Sequence, residues 1–207
     1  MTTITTSDIL LENATKYADK PALSSKDKAG NWKTTTWAEF SGETMDVAKS
    51  LTSLGFVKGD KLSIYSYNRK EWYIAYAAAN FCNGAGVGVY HTCSPEEVEW
   101  VVGNSDSKFV FVGHNPMDGG DNEKKCSHRL HKILDKLDKV EKVIVMEGVD
   151  MPSHEKIMSW SDFISEGKKV KDSSIHDSIK SIKPEDTATL IYTSGTTGNP
   201  KGVELTY

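Results

Sequence analysis

The chain has 207 residues, 38% of them hydrophobic and 26% charged, and this composition predicts a folded globular protein with one sizeable core or two small ones. Its 25 Lys and Arg against 29 Asp and Glu give a net charge of -4, which provides no basic field for nucleic acid. Three cysteines without CxxC spacing and an N-terminus without a signal or transit pattern exclude a disulfide framework and a recognisable targeting peptide. We therefore expect a cytoplasmic protein that does not bind nucleic acid.

Helices and short apolar strands alternate along the chain, and capping signals mark where two of the helices begin. Thr36 followed by Glu39 predicts a capping box, and Gly55 supplies the left-handed residue that ends that helix. Ser94 and Glu97 predict a second capping box. The predicted elements are, in chain order, a helix from Ser7 or Asp8 to before Pro21, a helix from Thr36 to Leu54, a strand over Lys61 to Tyr67, a helix over 71–83, a strand ending near Tyr90, a helix from Ser94, a strand over Phe109 to Val112, a surface loop from Gly113 to Cys126, a helix over His128 to Leu137, a strand over Lys142 to Met146, a helix over Ser161 to Gly167 and a strand over Thr187 to Tyr192.

This alternation predicts an α/β fold in layers, with helices on the faces of a largely parallel sheet. The stretch over 170–184 is polar and carries Pro184 shortly before the last predicted strand. A boundary between two subregions near 170–184 is therefore an open alternative.

The segment after the last predicted strand combines four hydroxyl side chains, two glycines and one cation. The glycines let backbone amides approach phosphate oxygens, the hydroxyls add rotatable donors, and the lysine can neutralise phosphate charge. The spacing differs from that of the common P-loop, and the same residue types also build polar turns between strands. The candidate phosphate-binding residues are Thr193, Ser194, Gly195, Thr196, Thr197, Gly198, Asn199, Pro200 and Lys201.

The ordered string YTSGTTGNPKG favours the phosphate-binding interpretation, because it resembles the phosphate loop of the adenylate-forming superfamily. Three upstream strings resemble, in the same order, the N-terminal blocks of long-chain acyl-CoA synthetases, and the bubblegum type is the subfamily that they suggest. These strings are TTTWAEF, GFVKGDKLSIYSYNRKEW and GVGVYHTCSPEEVEWVVGNSDSKFVFV. The resemblance covers the chain from about Ile9 to Tyr207, and it implies that residues 1–207 form a partial AMP-binding domain, an incomplete N-terminal domain of the adenylate-forming fold.

In that family a fatty-acid carboxylate attacks the α-phosphate of ATP, and coenzyme A then displaces AMP. The resemblance implies ATP and Mg²⁺ as cofactors, coenzyme A as co-substrate, and residues 193–201 at the β- and γ-phosphates. The family's later segments are not among these residues, so no catalytic residue is assigned. We expect that the chain alone does not complete the reaction and that the loop lacks the elements that brace it. The alternative function is a non-catalytic nucleotide-binding or interaction remnant, with self-association through an exposed truncated face and peripheral membrane contact left open.

Three other groups of residues favour structural roles. Cys126, His128 and His131 lie close in sequence but have no fourth ligand nearby, so we predict no metal site. His91, at a strand end, is more often structural than chemical and stays outside the candidate site. The aromatic cluster over 72–76 has helical spacing, which favours packing in the core.

Overall fold

A computed structural model describes residues 4–26, 30–114, 121–193 and 198–207, and these form a sheet with helices on both faces. The helices are α1 (Thr6–Lys16), α2 (Trp37–Ser53), α3 (Lys70–Phe81), α4 (Pro95–Asn104), α5 (Cys126–His131), α6 (Trp160–Glu166) and α7 (Asp172–Lys180). The strands are β1 (Pro21–Lys26), β2 (Trp32–Thr36), β3 (Lys61–Tyr65), β4 (Ala85–Val89), β5 (Ser107–Val112), β6 (Lys142–Val145), β7 (Ile157–Ser159), β8 (Thr187–Thr193) and β9 (Lys201–Thr206).

Seven of the described strands form one mixed sheet in the order β7-β6-β5-β3-β4-β8-β9. The strands from β7 to β8 run parallel to one another, and only β9 is antiparallel to its neighbour. Strands β1 and β2 pair with each other in a separate antiparallel ribbon. The predicted α/β fold, with a largely parallel sheet flanked by helices, is confirmed, and the carboxyl ends of β3, β4 and β8 meet at one edge.

The sheet separates two hydrophobic cores. Along β5, Phe109 and Phe111 point to the larger core with α1, α2, α3, α6 and α7, whereas Val110 and Val112 point to the smaller core with α4 and α5. All four side chains are fully buried. Burying each phenyl ring contributes roughly 1.5–3 kcal/mol relative to leaving it exposed. Because β5 has apolar side chains on both of its faces, it is most stable in the interior of the sheet, where both faces are covered by helices.

Both predicted capping boxes are confirmed. At the start of α2, the Thr36 amide donates to the Glu39 carboxylate over 2.8 Å, and the Glu39 amide donates to the Thr36 hydroxyl over 3.2 Å. Ser94 and Glu97 exchange the same pair of bonds at the start of α4. Gly55 follows α2 with φ of 85°, in the left-handed region where a side chain is unfavourable.

The first helix begins earlier than predicted. Its N-cap is Thr5, not Ser7 or Asp8, because the Asp8 carboxylate accepts a hydrogen bond from the Thr5 amide over 2.9 Å and closes a capping box. Asp8 therefore lies at the third helical position, where its side chain reaches back to the cap.

Other predicted boundaries also change. The helix predicted over His128 to Leu137 ends at His131, because Ile133 has non-helical dihedral angles and a separate short turn over Leu134–Lys136 follows. The predicted surface loop 113–126 contains another short turn at Asn122–Lys124, and its residues 115–120 lie outside the described part of the chain.

Four strands and one helix were not predicted: β1, β2, β7, β9 and α7. Helix α7 lies within the polar stretch 170–184, and its Ile175 and Ile179 are buried in the larger core. That a boundary between subregions falls in this stretch stays a prediction. None of the helices among the described residues is long and apolar enough to cross a membrane.

Candidate functional site

The predicted phosphate loop lies at the carboxyl edge of the parallel strands. Thr193 is the last residue of β8 and Lys201 the first of β9, and the two residues pair across the antiparallel ladder. The segment is thus a turn between two strands, as the polar-turn alternative stated, at the edge where open α/β sheets bind their ligands. That the segment binds phosphate stays a prediction.

The structure describes five of the nine predicted site residues: Thr193, Gly198, Asn199, Pro200 and Lys201. The others, Ser194, Gly195, Thr196 and Thr197, lie outside the described residues. Gly198 has φ of 91°, and an added Cβ would meet nothing within 4 Å. Glycine is therefore favoured at this position by backbone conformation and not by close packing.

Two side chains of α4 brace the hairpin from one face of the sheet. The Trp100 indole Nε1 donates to the Pro200 carbonyl over 2.9 Å, and the Tyr192 hydroxyl donates to Asn104 Oδ1 over 2.7 Å. Trp100 and Asn104 are four residues apart and share one face of their helix. Burial raises the pKa of Tyr192, which keeps its hydroxyl protonated as a donor. The expectation that the loop lacks bracing elements is therefore wrong for both of its described ends.

Thr193 and Lys201 point to the opposite face from those braces. Directly paired residues of antiparallel strands project to the same side, and side chains alternate along a strand. Ile191, two residues before Thr193, lines a cavity on the α3 side of the sheet, so Thr193 and Lys201 share that side. The bracing groups and the side chains of Thr193 and Lys201 thus occupy different faces of one hairpin.

A cavity of about 330 Å³, which we call the edge cavity, lies at the ends of β3, β4 and β8, and its wall reaches Tyr192, the residue before Thr193. Its wall includes Trp72, Tyr76, His91 and Ile191. His91, left outside the predicted site, lies two residues after the end of β4 and meets the Tyr67 ring edge to face at 5.3 Å. Its position after a parallel strand is the sequence signal that could have identified it.

Two glycines of β4 make room for stacked aromatic rings of α3. Trp72 and Tyr76 stack at 5.6 Å with an interplanar angle of 11°, over the face of β4 that Gly86 and Gly88 leave bare. Core packing is confirmed for these two rings, which also line the edge cavity. It is wrong for Tyr73, which is 43% exposed because it lies on the outer side of α3.

The turn that carries His91 is fixed from the side of α5. The Tyr65 hydroxyl and Arg129 Nη1 both donate to the Cys93 carbonyl over 2.9 Å, and Arg129 Nη2 donates to the His91 carbonyl over 2.6 Å. Burial raises the pKa of Tyr65, so this hydroxyl remains a donor. The wall of the edge cavity is therefore held by groups outside the cavity.

The side chains considered as metal ligands have separate surroundings. The Cys126 thiol is buried and donates to the His91 carbonyl over 3.6 Å, while the His131 ring faces His154 at 6.3 Å. Within the described ranges no group of three His, Cys, Asp or Glu side chains could hold a metal ion.

The family model for AMP-binding enzymes matches residues 10–207, and the chain therefore belongs to the AMP-binding enzyme family. This confirms the predicted relationship to adenylate-forming enzymes. Among curated relatives, the chain is 33% identical over 204 residues to the long-chain-fatty-acid–CoA ligase ACSBG2 of Gallus gallus, and 30% identical over 204 residues to that of Xenopus laevis. The Homo sapiens ACSBG2 is 29% identical over 206 residues. The predicted bubblegum-type relationship is confirmed.

These relatives are much longer than the chain. The alignments cover 98%, 99% and 100% of this chain but 25%, 26% and 29% of the Gallus, Xenopus and human proteins. A crystal structure of the anthranilate CoA ligase AuaEII in complex with anthranoyl-AMP superposes with a TM-score of 0.71 at 20% identity, covering 96% of this chain and 34% of that one. The structural likeness shows a shared fold, in which this chain corresponds to one part.

Proposed function

We propose that the chain supplies the phosphate-binding part of an ATP-dependent long-chain acyl-CoA ligase, in which residues 193–201 hold the β- and γ-phosphates of ATP. The complete reaction converts a fatty acid, ATP and coenzyme A into acyl-CoA, AMP and pyrophosphate. One observation carries the proposal: a segment of hydroxyl, glycine and lysine residues joins β8 to β9 at the carboxyl edge of a parallel sheet, where residues 189–192 of β8 line a cavity. Membership in the AMP-binding family supports it.

The hairpin suits the charge that develops as pyrophosphate leaves. Lys201 is exposed, and its pairing with Thr193 places an ammonium and a hydroxyl on the cavity side of the sheet. Donors that are already oriented stabilise developing charge without rearranging during the reaction. Mg²⁺, when bound with ATP, would neutralise part of the phosphate charge, and the hydroxyl-rich donor set of the loop fits a metal–phosphate complex.

The braces on α4 have a positioning role in this proposal. Trp100 and Asn104 hold the Pro200 carbonyl and the Tyr192 hydroxyl on the face away from the cavity. They therefore fix the strand ends without competing for the phosphates. A loop held at both ends loses less conformational entropy when it closes around a ligand.

Calorimetric titration of the chain with Mg-ATP and with AMP tests the proposal. We expect saturable binding of ATP that Lys201→Ala weakens about 10- to 100-fold, because hydrogen bonds to charged groups contribute about 1.5–3 kcal/mol. AMP lacks the β- and γ-phosphates, so its affinity should not change. Lys180→Ala, in the exposed last turn of α7, is the matched control and should leave both affinities unchanged.

Equal weakening of ATP and AMP binding by Lys201→Ala would contradict the assignment of the loop to the β- and γ-phosphates. No binding of Mg-ATP to the unaltered chain would contradict the proposal as a whole. Formation of acyl-CoA from palmitate, ATP and coenzyme A, measured in parallel, tests the expectation that the chain alone does not complete the reaction, and product above background would overturn that expectation.

A further inference from the structure

The β1–β2 ribbon carries an exposed tryptophan on the side that faces away from the core. Directly paired residues of antiparallel strands project to the same side, so Trp32 shares its side with Lys26. Side chains alternate along each strand, which places Leu23 and its partner Thr35 on the opposite side, where Leu23 packs against the larger core. Trp32 is 67% exposed. The strand pattern itself therefore keeps this large apolar ring in solvent.

The ribbon is held at both its base and its outer half, so the ring has a defined position. At the base, the Trp37 amide of α2 donates to the Lys20 carbonyl over 3.0 Å. Further out, the hydroxyls of Ser24 and Thr34 share a hydrogen bond of 3.3 Å on the same side as Trp32. A side chain on a paired strand loses less conformational entropy on binding than one on a free segment.

The surroundings of the ring are basic, although the chain as a whole is acidic. Residues 16–36 include five lysines and two aspartates as their only charged residues, whereas the whole chain has a net charge of -4. Lys26 Nζ lies 5.3 Å from the centre of the Trp32 ring, in a cation–π contact. The same contact recurs before the ribbon begins, where Lys16 Nζ lies 5.2 Å from the centre of the half-exposed Tyr17 ring. Aromatic rings beside ammonium groups suit a boundary between water and an apolar phase of negative charge.

We propose that the β1–β2 ribbon docks on the surface of an anionic lipid bilayer, with the Trp32 ring at the level of the headgroups and Lys26 at the lipid phosphates. Tryptophan is enriched at that level, because its ring is apolar and its indole N–H can still meet polar groups. All the cations of residues 16–36 are lysines. Protein–protein interfaces are depleted in lysine and enriched in arginine, so this composition favours lipid over a protein partner.

The docking is weak and reversible. Each lysine close to an anionic membrane strengthens binding about fivefold, and lysines farther than about 8–10 Å from the surface are screened at physiological salt. One ring and a few lysines therefore give at most the affinity of a single myristoyl chain, about 10⁴ M⁻¹. The nucleotide site proposed above lies in the β8–β9 hairpin, and docking on lipid requires no ATP. Failure of either proposal thus leaves the other standing.

Vesicle sedimentation tests the proposal on the purified chain. Sucrose-loaded vesicles of phosphatidylcholine and phosphatidylserine in equal parts should carry the chain into the pellet at millimolar lipid, and vesicles of phosphatidylcholine alone should bind it about tenfold more weakly or less. Raising the salt concentration to about 1 M, which shortens the Debye length to about 3 Å, should release it. Trp32→Ala should weaken binding to the mixed vesicles about tenfold, and Lys26→Gln about fivefold.

Two control variants match these changes elsewhere on the surface. Val57→Ala removes an apolar side chain that is 59% exposed after the far end of α2, and Lys180→Ala removes an ammonium group from α7. Both should leave binding unchanged. Should Trp32→Ala fail to fold, as circular dichroism would show, Trp32→Thr replaces it, because strands favour threonine. The proposal is overturned if the mixed vesicles do not bind the chain, if neutral vesicles bind it equally well, or if the variant without the Trp32 ring binds as tightly as the unaltered chain.

Discussion

The contact between Gly86 and the Tyr76 ring leads to a prediction that separates packing from backbone effects. Gly86 and Gly88 lie two residues apart on β4, on the same face of the sheet, and neither has a positive φ. A Cβ at position 86 would lie 2.5 Å from Tyr76 Cδ2, whereas a Cβ at position 88 would lie 3.4 Å from Trp72 Cζ2, in ordinary contact. The same substitution at the two positions should therefore have opposite effects on stability.

The size of each effect follows from these distances. Carbon atoms pack best at about 3.5–4.0 Å, so Gly86→Ala requires the Tyr76 ring to retreat by about 1 Å. Overpacking of this kind costs about 1–3 kcal/mol, which for a chain of this length lowers the melting temperature by about 2–12 °C. Gly88→Ala introduces no such contact and should stabilise the fold by about 0.4–1 kcal/mol, because alanine reduces the entropy of the unfolded chain.

Urea unfolding monitored by circular dichroism gives the assay. A double-mutant cycle then identifies the cause, because Tyr76→Leu removes the ring that Gly86→Ala displaces. The combined variant should be more stable than the sum of the single effects predicts, by about 0.5–3 kcal/mol. The reasoning is refuted if Gly86→Ala is as stable as Gly88→Ala, or if the two effects in the cycle simply add.

Three further predictions concern caps, pH and thiols. Thr36→Ala should lower the free energy of unfolding by about 0.5–2 kcal/mol, measured in urea, because it opens the capping box of α2. Burial opposes ionisation of Glu71, but hydrogen bonds of 2.7 and 2.8 Å from Arg69 hold the pKa of that carboxyl below its usual value. The ionised Glu71 paired with Arg69 therefore stabilises the fold above the ordinary glutamate pKa, and this contribution is lost as the pH falls through the lowered pKa. Arg69→Met should move acid unfolding, followed by circular dichroism, to higher pH. Burial raises the pKa of the Cys82 thiol to about 12, so iodoacetamide should label half-buried Cys93 before Cys82 in native protein, as mass spectrometry can show.

The elements that the sequence predicts correctly have strong local signals. The two capping boxes and Gly55 determine helix ends through contacts between residues close in sequence, and β3, β4 and β5 are short apolar runs. The missed elements lack such signals. Strands β1 and β2 are largely exposed, all six residues of β9 are exposed, and α7 has only Ile175 and Ile179 buried in a polar stretch. The three exposed strands have no hydrophobic pattern of their own and become ordered through pairing. In α7 the four-residue spacing of Ile175 and Ile179 is typical of a helix, but these two residues are the whole of its buried face.

The residues of the candidate phosphate loop could be predicted from the sequence, whereas the side chains that hold the hairpin in place could not. Hydroxyl, glycine and lysine residues stand together in one segment, so composition and order alone indicate a phosphate loop. Trp100 and Asn104, in contrast, precede their partners by 100 and 88 residues. Nothing in the sequence near either residue indicates a hydrogen bond to the loop, because the contact exists only once α4 packs beneath β8.

The pairing of β4 with β8 connects these observations. The Thr189 hydroxyl donates to the Gly86 carbonyl over 2.8 Å and so joins β8 to β4. Strand β8 leads into the candidate phosphate loop, and β4 lies under the Trp72 and Tyr76 rings. A side chain at position 86 would displace the Tyr76 ring, which lines the edge cavity. Glycine at this position thus serves both the packing of α3 and the shape of the edge cavity, although the residue carries no chemistry of its own.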